Sequence, residues 1–106
     1  MKGPQKRITD CILAYLSSRP STWRFKVGAG PWQIAGLPDI IGVTDGRFFA
    51  FEVKVPGKTA TPLQGATLAA IKRAGGIAET VTSLDQVRFV PDGPREPNLG
   101  YPEDTQ

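Results

Sequence analysis

Three charged residues stand within two apolar, strand-like runs in the middle of this chain: Asp39, Glu52 and Lys54. They lie in the stretch 36–54, which reads G-L-P-D-I-I-G-V-T-D-G-R-F-F-A-F-E-V-K. An ionised side chain is costly to place in the core of a sheet unless it is paired or binds a metal ion. Two carboxylates can hold a hard divalent cation, which would activate a water molecule for attack on a phosphate ester. We therefore take these three residues as a candidate site.

The stretch that carries these residues has the pattern of a β-hairpin. It predicts a short strand over 39–43, a tight turn at Asp45-Gly46 and a return strand over 48–55. Side chains alternate along a strand, so Glu52 and Lys54 are expected on the same face of the return strand. Pairing of the two strands would bring both carboxylates within reach of one cation.

The rest of the chain predicts helices and further strands around this hairpin. The predicted segments are a helix over 4–17, a half-buried strand over 22–27 with Trp23, Phe25 and Val27 on one face, a glycine-rich loop over 28–36, a helix from Pro62 to about residue 74 with Thr61 as N-cap, a strand over 77–81, a short helical turn capped by Ser83, and a last strand over 87–90. Cys11, near the apolar face of the first helix, is expected to be a buried small hydrophobe. We therefore predict a mixed α/β domain.

Composition limits the chemistry that this chain can perform. Its 106 residues fit one compact domain, and it contains no histidine and one cysteine. A Cys/His zinc site, a His-based triad and an internal disulfide are therefore excluded within the chain. No apolar segment follows the basic N-terminus, so we expect a cytoplasmic protein with no membrane partner, in a bacterium or a phage-infected cell.

Charge is distributed unevenly along the chain. Residues 91–106 carry a net charge of −3 and are rich in proline, so they are expected to form a flexible tail without a core of its own. Residues 1–90 carry +6 and are the predicted folded domain. A basic domain suits an anionic partner such as nucleic acid.

The order of elements and motifs resembles the PD-(D/E)xK nucleases, with Pro38-Asp39 opening one strand and Glu52-Val53-Lys54 on the next. The chain is more closely similar to the virus-type replication-repair nuclease (VRR-NUC) domains. Those share G-x-P-D, an aromatic-rich strand ending in E-x-K, a glutamine opening the next helix and a G-G pair, which are here 36–39, 48–54, Gln64 and Gly75-Gly76. The resemblance covers residues 4–88. It implies a restriction-endonuclease-like mixed β-sheet flanked by helices, with an α-β-β-β-α-β core.

The resemblance also implies roles for individual residues. Asp39, Glu52 and the backbone carbonyl of Val53 would hold Mg²⁺ or Mn²⁺. Lys54 would orient or deprotonate the attacking water, or stabilise charge on the phosphate. Gln64 would reach back to the site from the first turn of its helix.

One position departs from the family pattern. Relatives carry an acidic residue early in the first helix, and by register ahead of Ile8 this position is Gln5. Asp10, five residues further on, lies about 140° around the helix and is a poor substitute. A neutral residue here implies reduced activity, chemistry with one metal ion, or an engineered change that traps substrate.

The function that the resemblance implies is a metal-dependent, structure-selective deoxyribonuclease similar to Holliday-junction resolvases. Its partner would be branched or junction DNA, and two symmetric cuts would require a homodimer. Aromatic residues in excess of the needs of a small core could form part of the dimer interface: Trp23, Trp32, Phe48 and Phe49.

Four other interpretations stay open. The first is a DNA-binding module that keeps the nuclease fold with weakened or absent catalysis. The second is a restriction endonuclease, for which so short a chain offers little room for a sequence-reading element. The third is a protein–protein adaptor, against which the three charged residues argue. In the fourth, Glu52 and Lys54 are an exposed ion pair and Asp39 merely ends a loop.

Overall fold

The computed structural model describes residues 3–28 and 34–89, with the backbone alone for residues 88 and 89. This part of the chain forms α1 (Pro4–Ser18), β1 (Thr22–Lys26), β2 (Ile40–Thr44), β3 (Arg47–Val53), α2 (Pro62–Arg73), β4 (Ile77–Val81) and α3 (Leu84–Phe89). None of these helices combines the length and the apolar character that crossing a bilayer requires.

The four strands form one mixed sheet in the order β1-β2-β3-β4. β1, β2 and β3 are antiparallel neighbours, and β4 lies parallel to β3. The β2–β3 turn uses Asp45 and Gly46 with φ angles of 50° and 80°, the left-handed geometry that tight hairpins need. A parallel pair requires a crossover, and α2 provides it between β3 and β4. The predicted mixed α/β architecture is therefore confirmed.

The main hydrophobic core lies between α1 and one face of the sheet. Ile12 and Leu16 of α1 pack against Phe49, Phe51 and other buried residues of the sheet. The rings of Phe49 and Phe51 are stacked with centroids 5.4 Å apart. Gly42 lies beside the Phe49 ring, where a Cβ would collide with that ring and with the backbone of Trp23. The strand β3 is thus fixed by close packing just before it reaches Glu52.

The helix α2 covers only part of the opposite face. Leu68 of α2 packs against Ala50 of β3 and Ala78 of β4, and Ile41 and Ile71 border this cluster. The β1–β2 side of the same face has no covering element among the described residues. We call this surface the open sheet face; its exposed apolar residues are Trp23, Phe25, Val43 and Phe48.

The structure corrects two sequence-based expectations about burial, those for Phe49 and Cys11. The apolar face of the strand predicted over 22–27 carries Trp23 and Phe25, which are 59% and 50% exposed because α2 does not extend over β1. Phe49, expected in an interface, is fully buried in the core. Cys11 is exposed, since the buried positions of α1 are Thr9, Ile12 and Leu16.

One predicted element is wrong. The strand expected over 87–90 is instead part of α3, which runs from Leu84 to Phe89. Leu84 and Val87 are three residues apart, so they lie on one helical face and pack against the main core. Residue 90, the tail over 91–106, and Trp32 with most of its glycine-rich loop lie outside the described residues.

Candidate active site

The pairing of β2 with β3 brings the two candidate carboxylates to the same place. Ile40 is opposite Phe51 in the register, so Asp39, which directly precedes β2, is opposite Glu52. Asp39 Oδ2 accepts a hydrogen bond of 2.7 Å from the backbone N–H of Val53. The backbone carbonyl of Asp39 accepts from Val27, which ties the same residue to the end of β1. The hairpin therefore fixes Asp39 against the end of β3.

The carboxyl group of Glu52 is buried and incompletely paired. The residue is 2% exposed, and its Oε1 has no hydrogen-bond partner among the described residues. The pKa of Glu52 is raised to about 7, mainly by burial and further by the negative charge and hydrogen bond of Asp39, while Lys54 acts in the opposite direction. Two carboxyl groups this close cannot both ionise cheaply without a compensating positive charge. The pair is therefore suited to hold a proton or a cation.

Lys54 lies beside this pair. Its Nζ is 3.5 Å from Glu52 Oε2, and its side chain is 19% exposed. The backbone N–H of Lys54 donates to the carbonyl of Val81, which continues the β3–β4 pairing past the end of β3. Lys54 thus has a fixed backbone and a partly accessible ammonium group. The interpretation in which Glu52 and Lys54 form an exposed ion pair does not fit the structure, because Glu52 is buried.

Gln5 reaches the same site from α1. Its Nε2 donates a hydrogen bond of 2.9 Å to the carbonyl oxygen of Val53, 48 residues away in the sequence. Asp10, by contrast, lies 3.5 Å from Lys6 on the helix surface. The structure thus places Gln5, and not Asp10, next to the residues that the resemblance singled out.

Gln64 has a different environment from the one expected. Its side-chain Oε1 accepts a hydrogen bond from the backbone N–H of Thr61, and its backbone N–H donates to the Thr61 hydroxyl. These two bonds are a capping box at the N-terminus of α2. Among the described residues Gln64 makes no hydrogen bond to Asp39, Glu52 or Lys54, and its side-chain oxygen is used in the helix cap.

The oxygen atoms at this site form a set that suits a hard divalent cation. The carboxylates of Asp39 and Glu52 and the carbonyl of Val53 are all oxygen donors, the type that Mg²⁺ and Mn²⁺ prefer. The unpartnered, buried Oε1 of Glu52 is the specific feature that a cation would satisfy. In the described part of the chain, no group of three or more His, Cys, Asp or Glu residues is placed to hold a metal. The site therefore offers two carboxylates and not three.

Sequence reasoning missed the two hydrogen bonds that organise the site. The bond from Val53 N–H to Asp39 and the bond from Gln5 to the Val53 carbonyl both involve the backbone of one valine. A backbone group leaves no trace in residue identity, so no motif could have revealed them. Strand alternation likewise separates the two faces of β1 without showing which face is covered.

Comparison with known proteins identifies the fold. No protein-family model and no curated protein matches the sequence. A solved structure of a VRR_NUC domain protein resembles this chain with a TM-score of 0.62 and 18% sequence identity, over 78% of this chain and 80% of the other. A likeness at this identity shows the fold and not the activity. The chain has the VRR-NUC type of restriction-endonuclease-like fold, as the sequence resemblance predicted.

Proposed function

We propose that this protein is a metal-dependent, structure-selective deoxyribonuclease that hydrolyses DNA phosphodiester bonds. The observation that carries the proposal is the pair of carboxylates on adjacent strands, with Oε1 of Glu52 buried and without a partner and Lys54 3.5 Å from Glu52. A buried polar atom without a hydrogen-bond partner is costly, and ionisable groups with a strongly shifted pKa cluster at functional sites. The pair lies at the end of the β2–β3 pairing, beside the partly exposed side chain of Lys54.

The residues that would hold Mg²⁺ or Mn²⁺ are Asp39, Glu52 and, through its backbone carbonyl, Val53. When bound, the cation supplies a more acidic water and positive charge next to the phosphate. Lys54 contributes a second positive charge beside Glu52, where it can orient the attacking water or stabilise charge on the phosphate. Asp39 is held in position by the Val53 N–H, so it can present its other oxygen without losing that contact.

The surface charge around the site supports DNA as the partner. Lys26 is opposite Ile40 in the sheet, one residue from Asp39, and it is exposed. Lys58 is exposed four residues after Lys54. Together with the +6 charge of residues 1–90, these groups favour binding of a phosphate backbone.

A Holliday junction as substrate would require a two-fold assembly, because resolution needs two symmetric cuts. The open sheet face supports a homodimer of this kind. Trp23 and Phe25 stack with centroids 6.0 Å apart on that face, and Val43 and Phe48 continue the apolar surface across the sheet. Phe49 takes no part, since it is buried in the core.

The experiment that tests the proposal is a cleavage panel with four-way junctions, flaps, duplexes and single strands in Mg²⁺ and in Mn²⁺. We expect cleavage of branched DNA that requires the cation and is lost in Asp39→Asn, which removes one charge at almost unchanged shape. If the protein and Gln5→Glu both leave every substrate uncut, the nuclease proposal fails. Cleavage that survives Asp39→Asn would instead reject the assigned site.

A second candidate function is a DNA-binding module that keeps this fold without catalysis. The observation that favours it is the neutral Gln5 on the Val53 carbonyl, at a site that offers two carboxylates among the described residues. This candidate predicts junction binding that weakens with salt, is the same with Mg²⁺ and with a chelator, and is followed by no cleavage.

A further inference from the structure

The amide of Gln5 joins the first turn of α1 to the last residue of β3. Its Nε2 donates to the carbonyl oxygen of Val53 at 2.9 Å. A carbonyl oxygen can only accept, so the chemistry of the contact requires the NH₂ side of the amide to face Val53. The hydroxyl of the buried Thr9 donates to the backbone carbonyl of Gln5 at 2.9 Å, which holds this turn of the helix. The contact therefore joins the exposed first turn of α1 to the buried end of β3.

Both backbone polar groups of Val53 have partners that belong to the site. Its N–H donates to Asp39 Oδ2 at 2.7 Å, and its carbonyl accepts from Gln5. Glu52 Oε1, one residue earlier, has no partner among the described residues. The carbonyl oxygen of Val53 is one of the oxygens proposed to bind a cation. It carries no formal charge, and it already accepts a hydrogen bond from Gln5.

That donor competes with a cation. A carbonyl oxygen has two lone pairs and can in principle accept from both. An N–H group carries partial positive charge, however, so a cation at the same oxygen places two positive centres side by side. Each then weakens the hold of the other on Val53 O. Gln5 is also uncharged, so it does not add the negative charge that a carboxylate at this position would bring to a cation.

We propose that Gln5 is a positioning residue that holds the Val53 carbonyl in the cation-free protein and thereby weakens the binding of divalent cations by Asp39 and Glu52. The inference rests on the cation site of the proposed function. Its consequence is that the site needs a higher concentration of divalent cation than it would without the Gln5 amide. The site loads only when the cation concentration is high enough to displace the Gln5 amide or force it to share Val53 O.

The test is the affinity for Mn²⁺, measured by isothermal titration calorimetry on the full chain. Gln5→Met keeps the length of the side chain and removes the amide, and we expect it to bind Mn²⁺ about fivefold more tightly, the effect of one ordinary hydrogen bond. Gln5→Glu should bind more tightly still, because it also adds a third carboxylate. The matched control is Gln86→Ala. The Gln86 side chain bonds to Thr82 at the start of α3, so its loss should leave the affinity unchanged.

A second readout follows the amide directly. In NMR spectra the side-chain NH₂ signals of Gln5 should move on titration with Mg²⁺, with the same apparent Kd as the cation site, and should stay still in Asp39→Asn. Side-chain signals of Gln5 that stay still while Mg²⁺ binds at Asp39 and Glu52 would overturn the displacement or sharing of Val53 O.

The outcomes separate the two proposals. Equal or weaker Mn²⁺ binding by Gln5→Met, with binding by the unmodified protein still lost in Asp39→Asn, overturns the role of Gln5 and leaves the cation site standing. If the unmodified protein, Gln5→Met and Gln5→Glu all show no saturable binding, both proposals are rejected.

Discussion

Asp39 and Val53 are joined by a hydrogen bond of 2.7 Å from the backbone N–H of Val53 to Asp39 Oδ2. Val53 is the residue between Glu52 and Lys54, so this bond fixes the start of β2 against the three-residue segment that carries the rest of the site. The peptide N–H thereby orients the carboxylate of Asp39 beside Glu52. The position of Asp39 thus depends on the backbone of β3 as much as on its own strand.

Replacing Asp39 should change the titration of its neighbour. Asp39 raises the pKa of Glu52 through its charge and a hydrogen bond between the two carboxyl groups. In Asp39→Asn the charge is gone, and we expect the pKa of Glu52 to fall below its present value of about 7. The pKa can be followed by carbon-13 NMR of the Glu52 carboxyl group without added metal. An unchanged or higher pKa would show that burial alone sets the value.

The stability of the metal-free protein should fall as the pH rises through a defined window. Glu52 keeps its proton up to about pH 7 in the folded protein, whereas the unfolded carboxyl loses it near 4.5. Between these values the folded state binds more protons, so the free energy of unfolding decreases with rising pH, in total by on the order of 3 kcal/mol. The stabilisation that protonated Glu52 provides is complete below about pH 4.5. Above about pH 7 it has been lost, and the free energy of unfolding no longer changes because of this group.

The measurement is urea unfolding in the presence of a chelator at several pH values, with Glu52→Gln as the matched variant. Gln does not titrate, so the difference in stability between the two proteins should change across the window and level off above it. A difference that is the same at pH 5 and pH 8 would contradict the buried, protonated state of Glu52.

Gln64 should matter for the stability of α2 and not for cation binding. Its side chain completes the capping box with Thr61, and loss of such a cap typically costs about 1 kcal/mol. We expect Gln64→Ala and Thr61→Ala to lower the free energy of unfolding by similar amounts and to bind Mn²⁺ as the unmodified protein does. Chemical unfolding and calorimetry measure the two effects separately. A selective loss of Mn²⁺ affinity in Gln64→Ala would restore the role that the family resemblance implies.

The fold could be read from the sequence wherever a local pattern decides the structure. The Asp45-Gly46 turn, the Thr61-Pro62 start of α2 and the strand 77–81 are cases of this kind, because turn and cap chemistry act within a few residues. Val87 was misassigned because a short apolar run fits a strand and a helix equally well. Burial of Phe49 and exposure of Trp23 depend on which elements cover the sheet, and that is a property of the assembled fold.

The residue types of the candidate site could be predicted from the sequence, but the hydrogen bonds that fix them could not. The types of Asp39, Glu52 and Lys54, with the alternation of β3, were sufficient to place them together. The sequence does not show which backbone N–H or carbonyl group a polar side chain will bond to. Gln64 was expected to turn towards the site, but its side chain bonds to the local backbone N–H of Thr61 instead. Gln5 donates a hydrogen bond to the carbonyl oxygen of Val53, 48 residues away in the sequence.

The open sheet face gives the last prediction, which concerns assembly. Trp23 is 59% exposed, so Trp23→Ser should cost little folding stability, whereas in a dimer that buries this face it removes a large apolar contact. We expect the unmodified protein to be dimeric in light scattering and Trp23→Ser to be largely monomeric. The matched control is Cys11→Ser, exposed on α1 on the opposite side of the sheet, which should remain dimeric. On a cruciform plasmid, loss of paired cuts should convert the linear product into nicked circles. A monomeric unmodified protein, both free and on junction DNA, would reject the homodimer.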